Sequence, residues 1–389
     1  MAITAKTIVT SCGVGEEAML DALVHNRSGL KKQTYDGLDF ETWLGRVDEI
    51  ESIEIEPELK RYFCRNHQLA RLTLQTDHFS DSVEVAKARY GAERIGVFVG
   101  TSTSGSAETE SAYCYAKKQA ALPDDYELLY THNMSSLQDY VQRSLGLRGP
   151  GYAISTACSS SAKVFAAAYR HIVTGQCDAA VVGGVDSLCM STLYGFNSLQ
   201  LISDDICRPF DIDRKGLNIG EAGGFVLLEP AEAGHGKVKL KGYGESSDAY
   251  HMSTPHPEGN GAVKSMKNAL SRAALEVESI DYINLHGTAT RNNDSAEANG
   301  LLQVFDNKVV CSSTKGFIGH TLGAAGIAEV IISILALEND ILPVNLNMQN
   351  RDPSLGVSPL EKTGRVSVEN VMSNSSGFGG NNCSLIFGW

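Results

Sequence analysis

GYAISTACSSSAKVFAAAYRHIVTG, residues 151–175, runs from a short strand through a turn of small polar residues into an Ala-rich helix that Gly175 stops. The same order recurs in NKVVCSSTKGFIGHTLGAAGIAEVIISILALE at residues 307–338. Two such units in one chain are a faint internal repeat, with coincidence as the alternative, in a chain whose pattern is α/β. The polar, Gly-containing stretch EPAEAGHGKVK, residues 229–239, is the natural join. It divides the chain into residues 1–230, carrying Cys158, and residues 231–389, carrying His286 and His320.

Outward from these units the α/β pattern holds. Ile95–Val99, Ala179–Val182, Phe225–Leu228, Tyr282–Leu285, Lys308–Val310 and Ser384–Phe387 are short apolar runs that predict strands. Glu16–Val24, Ser159–Thr174, Ala262–Val277, Asp294–Phe305 and Ala324–Glu338 carry apolar residues at helical spacing. With 389 residues, 42% hydrophobic and 20% charged, the chain is neither disordered nor collagen-like. Its 33 Lys and Arg against 46 Asp and Glu give a formal charge of -13, which argues against nucleic acid or an anionic membrane as the main partner. The N-terminus forms no apolar h-region, and the most apolar stretch, Val330–Leu337, is too short to span a bilayer. These features predict a cytoplasmic protein. Nine scattered cysteines without a CxxC suggest neither a disulfide framework nor a zinc site.

Cys158 sits at the start of the Ala-rich helix, where unpaired N–H groups and the helix dipole favour a thiolate. A buried small residue at a tight crossing is the alternative for an isolated cysteine. His286, in NLHGTAT, and His320, in TKGFIGHT, occupy comparable Gly- and Thr-flanked turns after predicted strands. A thiol to hold an acyl group and donors to stabilise an enolate are what thioester condensation requires. In GFGGNN, from Gly377, glycines serve either a β-turn or a close backbone approach to a substrate oxygen. The loop has no Walker ending, and no GxGxxG opens a helix, so a nucleotide cofactor is not expected.

Six ordered motifs carry a specific resemblance: TACSSSA, RPFDIDRKGLNIGEAGG, SSDAYHMSTPHPEG, NLHGTATRNND, STKGFIGHTLGAAG and NSSGFGGNN. From about Gly91 onward the chain resembles the β-ketoacyl-acyl-carrier-protein synthases, the elongating condensing enzymes of the thiolase superfamily. The resemblance implies a five-layered αβαβα fold of two pseudo-symmetric halves, usually dimeric, with the active site between them. It implies Cys158 as the acylated nucleophile and His286 and His320 as the pair that receives malonyl thioester. It implies N–H groups of Cys158 and Phe378 as the oxyanion hole, with Phe378 gating entry. Lys315 and Glu329 match the family's supporting charged pair. Thr288 and Thr290 would line the phosphopantetheine channel, and Gly377, Gly379 and Gly380 would approach substrate. No metal or resident cofactor is implied, since acyl carrier protein brings its own phosphopantetheine. The basic residues Lys60, Arg61, Arg65 and Arg71 are a candidate carrier-docking surface, with a solvated helix face as the alternative.

The chain also departs from the commonest family pattern. It lacks Pro-Leu-Gly after the first strand, has Ser161 where Gly is frequent, and has Asn381 where Thr is common. These departures leave two pathways open: the CSSSAK stretch looks somewhat more like synthases of specialised pathways, such as those of aryl polyenes, and ordinary fatty-acid elongation is the alternative. Three rivals remain: a ketosynthase-like partner subunit of the chain-length-factor type, a thiolase, and a cysteine hydrolase. The intact Cys158, His286 and His320 argue against a non-catalytic subunit, although a catalytic chain can still need such a partner. GFGGNN lacks the second cysteine of a thiolase.

Overall fold

In the computed structural model, which describes residues 1–48, 50–232, 238–306 and 308–389, two sets of five strands carry the fold. The first set is β1 (Ala2–Thr10), β2 (Ile95–Gly100), β3 (Gly151–Ile154), β4 (Ala179–Asp186) and β5 (Ala222–Glu229). The second is β6 (Lys239–Ser247), β7 (Tyr282–Asn284), β8 (Cys311–Ser312), β9 (Asn370–Gly377) and β10 (Asn381–Gly388). The spatial order is 3-2-4-5-1 in one and 8-7-9-10-6 in the other, with matching directions at every pairing. Topologically the second set repeats the first. The two join edge to edge through the pair Ala2 and Lys239. Part of the predicted join, residues 233–237, lies outside the described residues.

Strand alternation assigns each side chain to a layer. On the first sheet Val97, Val99, Val181 and Leu227 face outward, onto α1 (Arg65–Gln75), α2 (Phe79–Tyr90) and α3 (Ser136–Ser144). Phe98, Val182 and Val226 face inward. On the second sheet Ile283, Met372 and Ile386 face α5 (Asn260–Ala273) and α6 (Arg291–Phe305), while Tyr282, Val371 and Leu385 face inward. Between the sheets lie α4 (Ser160–Val173) and α7 (Ala325–Glu338). These five layers are the αβαβα arrangement. From Ala325 to Leu337 every residue of α7 is buried, which fits a helix enclosed on all sides. Its Gly326 lies against α4: a Cβ there would come within 2.6 Å of Ala162 N. That close approach requires glycine.

Several predicted boundaries move. Lys308–Val310 is not a strand: Lys308 N–H bonds back to Phe305 O in the turn leaving α6, and the ladder strand is Cys311–Ser312. The helix predicted over 262–277 ends at Ala273, because Ala274 turns left-handed at φ 53° and Leu275 N–H bonds to Leu270 O. The predicted helix over 324–338 begins at Ala325, after a short 3-10 turn at Leu322–Ala324. Among the described residues no helix is long and apolar enough to cross a membrane.

Candidate active site

Cys158, His286 and His320 follow β3, β7 and β8, so all three lie beyond the carboxyl ends of parallel strands, where open α/β sheets place their ligands. The turn around Cys158 is tied by its own serines. Ser159 Oγ donates to Thr156 O at 3.0 Å, Ser160 Oγ donates to Ala157 O at 2.5 Å, and Thr156 N–H donates to Ser160 Oγ at 2.9 Å. Ala157 is held at φ 52°, a conformation a non-glycine residue adopts only under such constraint. Ser161, at a position where the resemblance leads one to expect glycine, accepts from Ile327 N–H at 2.9 Å and so binds α4 to the first turn of α7.

His320 is anchored across the halves: its N–H donates to Asn218 O at 2.7 Å, and Gly220 N–H donates to its carbonyl at 3.0 Å. Its Nε2 then lies 3.0 Å from Cys158 Sγ. The rings of His286 and His320 meet edge to face at 5.3 Å. Ligand atoms of Cys158, His286 and His320 all fall within 4.8 Å of one another, and all three residues are buried. Lys315 Nζ donates to His286 O at 2.6 Å, approaches His286 Nδ1 at 3.2 Å, and pairs with Glu329. The sequence motifs thus anticipated five side chains that the fold gathers into one cluster.

Burial and the neighbouring Lys315 ammonium push both histidines well below the usual imidazole range, so they are neutral at physiological pH. Cys158 behaves differently from the helix-terminus expectation. It lies before the N-cap Ser159, and burial pushes its thiol up to about 11 against the pull of Lys315 and the Phe378 N–H. The resting side chain is a thiol, not a thiolate. Burial likewise lifts Glu329 to about 7 against the pull of Lys315.

The backbone N–H groups of Phe378 and Cys158 point at the sulfur. Phe378 packs on Phe196, with ring centres 5.4 Å apart, and Phe196 lies 6.3 Å from the His320 ring. Gly377 is pressed onto the nucleophile turn: a Cβ there would come within 2.7 Å of Thr156 O. Gly379 N–H donates to Met252 O at 2.7 Å, and Asp248 N–H donates to Gly380 O at 2.9 Å, which ties the loop to the 247–259 segment. Thr288 and Thr290, whose hydroxyls lie 2.8 Å apart, line the same cavity as Cys158, both histidines and Phe378. Asn381, where the resemblance leads one to expect threonine, accepts from Lys163 Nζ at 3.0 Å and so bridges the loop to α4.

Three supporting residues were not anticipated. Glu297 accepts from the N–H groups of His286 and Gly287 at 2.7 and 2.8 Å. Asp186 accepts from Thr101 Oγ1, from Ser102 and Thr103, and from Gly323 N–H at 2.6 Å, which fixes the chain just beyond His320. Phe196 supplies the aromatic wall. The one sequence signal among them was Asp186, a carboxylate ending the otherwise apolar AVVGGVD strand. The basic run separates: Arg65 is bidentate on buried Glu221 at 2.6 and 2.7 Å, Arg71 pairs with Glu56, and Arg61 pairs with Glu127 while stacking on Tyr130. Arg65 and Arg71 are therefore structural cations, and only Lys60 and Arg61 lie exposed.

A duplicated α/β half with this cluster at the junction defines a condensing-enzyme fold of the thiolase superfamily. The chain matches the beta-ketoacyl synthase N-terminal domain over residues 65–233 and the C-terminal domain over residues 238–349. It is 39% identical to the mitochondrial 3-oxoacyl-[acyl-carrier-protein] synthase of Arabidopsis thaliana over 66% of this chain and 59% of that protein. With 3-oxoacyl-[acyl-carrier-protein] synthase 2 of Vibrio cholerae the identity is 34% over 76% of each. A chain in the structure of a ketosynthase in complex with its chain length factor from Xenorhabdus doucetiae superposes with a TM-score of 0.89 at 36% identity, covering 100% of this chain and 97% of that one. The chain belongs to the β-ketoacyl synthase family.

Proposed function

We propose that this chain is a β-ketoacyl-acyl-carrier-protein synthase, which joins an acyl group held on Cys158 to malonyl carrier with loss of carbon dioxide. The observation that carries the reading is the meeting of Cys158, His286 and His320 within 4.8 Å, with two backbone N–H groups converging on the sulfur. His320 Nδ1 accepts from Leu322 N–H at 3.1 Å, so the ring proton sits on Nε2 and points at Cys158. His320 is thus a donor to the sulfur and not its base. The sulfur attacks the acyl thioester, the N–H groups of Cys158 and Phe378 hold the oxyanion, and the thiol proton leaves with the departing carrier thiol. When malonyl carrier follows, the Nε2–H groups of both histidines stabilise the enolate left by decarboxylation. The enolate carbon bonds to the acyl carbon, the Cys158–acyl bond breaks, and the thiolate takes one proton from solvent, consistent with a thiol lifted to about 11.

Thr288 and Thr290 would flank the phosphopantetheine arm, with Gly377, Gly379 and Gly380 beside it. Lys60 and Arg61 keep the exposure that docking of an acidic carrier needs. A second reading, in which the working unit includes a ketosynthase-like partner, is favoured by surface chemistry. The helix Ser106–Gln119 buries only Ala112 and exposes Tyr113 and Tyr115, Leu128 and Leu129 are exposed nearby, and β3 is an unpaired sheet edge. The likeness to a chain of a ketosynthase–chain length factor complex agrees with it. A cytoplasmic location and a specialised pathway, of aryl polyene type, belong to the same proposal.

Incubation with acyl carrier and malonyl carrier tests it. A β-ketoacyl carrier two carbons longer, with one carbon dioxide per product, is the expected result. Free acid released without carbon dioxide would make the protein a hydrolase. Turnover that appears only on adding a ketosynthase-like subunit would establish the partner-dependent reading.

A further inference from the structure

Cysteine and histidine are zinc ligands, and three such donors around an open position are the pattern of a catalytic zinc site. Here the three donor atoms lie within 4.8 Å of one another, and tetrahedral zinc would hold them about 3.3–3.6 Å apart. Small rotations would close that gap. What opposes a metal lies on the far side of each ring.

A neutral imidazole has one lone pair and one N–H. His320 Nδ1 faces the backbone N–H of Leu322 at 3.1 Å, a group that only donates. His286 Nδ1 faces Lys315 Nζ at 3.2 Å, and the same ammonium also donates to His286 O and Glu329, three acceptors for its three protons. Both Nδ1 atoms are therefore acceptors, and both ring protons occupy Nε2, where a metal would need lone pairs. Metal-binding histidines show the reverse pattern, giving the outer N–H to a carboxylate, carbonyl or water. Moving either proton to Nδ1 would set N–H against N–H in a buried site. The carboxylate that could accept it, Glu329, is engaged by Lys315 itself.

We infer that Lys315 and the Leu322 amide form a metal-excluding shell, holding both histidines in the Nε2–H tautomer so that a zinc-type donor set does not take up divalent cations. This assigns Lys315 a positioning role that is independent of which acyl group the enzyme carries. It also explains why a donor-only ammonium, and not a carboxylate, sits directly behind His286.

Cobalt(II) added to the full chain is the probe, because a cysteine-bound cobalt gives a thiolate-to-metal absorption band. The wild type is expected to show no such band at stoichiometric cobalt. Lys315→Gln places an amide oxygen where the ammonium was, able to accept from His286 Nδ1–H. With His286 released and His320 still held by the Leu322 amide, it is expected to bind cobalt at least tenfold more tightly through Cys158 and His286, with a band that Cys158→Ala abolishes. A stoichiometric band in the wild type, or a folded Lys315→Gln that binds no more tightly, would overturn the inference. Imidazole nitrogen NMR of the wild type tests it without any substitution. Nε2–H signals from both rings are expected, and an Nδ1–H tautomer at either would refute the shell.

Discussion

Lys315 and Glu329 are an oppositely charged pair enclosed beside the site, with 1% and 2% of their side chains exposed. Replacing Lys315 by Met strands the Glu329 carboxyl in an apolar interior, which typically costs roughly 3–5 kcal/mol. Urea unfolding is expected to show a loss of that size for Lys315→Met and recovery of most of it in Lys315→Met/Glu329→Leu. Equal losses in the single and double variants would mean that the pair contributes nothing as a pair. Cys158, His286 and His320 were legible in the sequence because each lies in a turn of small residues, a local pattern. Glu297 and Asp186 were not, because what they hold is backbone brought to them by the fold. Cys158 shows the same contrast: the helix terminus that favours a thiolate is local, whereas the burial that pushes the thiol up is not.

At the scale of elements, the contact between α4 and α7 sets the distance from sulfur to imidazole. The Cys158 turn leads directly into α4, and His320 lies one short turn before α7. Gly326 is pressed onto Ala162 of α4, and Gly326→Val would drive the helices apart, at a cost of roughly 1–3 kcal/mol from overpacking. The variant is expected to lower the melting temperature and to slow Cys158 acylation by more than its stability loss explains. Unchanged acylation in a destabilised protein would mean that the two helices do not set the site geometry. Sequence periodicity found both helices to within about a residue, since a buried Ala-rich or Ile-rich run leaves little ambiguity. It misplaced β8, two residues long, because nothing in KVVCSS distinguishes the end of a turn from the start of a ladder.

Across the whole molecule, the duplicated topology explains why so many polar groups are enclosed: the site lies at a seam between two sheets and not at a surface. One consequence concerns acid stability. His67 on α1 is fully buried, stacks on Tyr140 at 5.0 Å, and burial pushes it down to about 4 from the ordinary 6.5. Between those values the unfolded chain takes up a proton that the folded chain refuses. Stability from this residue is therefore complete above pH 6.5 and lost as pH falls to about 4. Relative to His67→Phe, the wild type is expected to lose about 3 kcal/mol between pH 7 and pH 4. A constant difference would mean that the imidazole takes up its proton equally in the folded and the unfolded chain.

The most direct measurement of the central claim, that Cys158 carries the acyl group, is the intact mass of the protein after incubation with a panel of acyl carriers. One acyl group per chain is expected on the wild type and none on Cys158→Ala, with the adduct disappearing as malonyl carrier is added. An adduct that persists in Cys158→Ala, or one on the wild type that malonyl carrier leaves untouched, would contradict it.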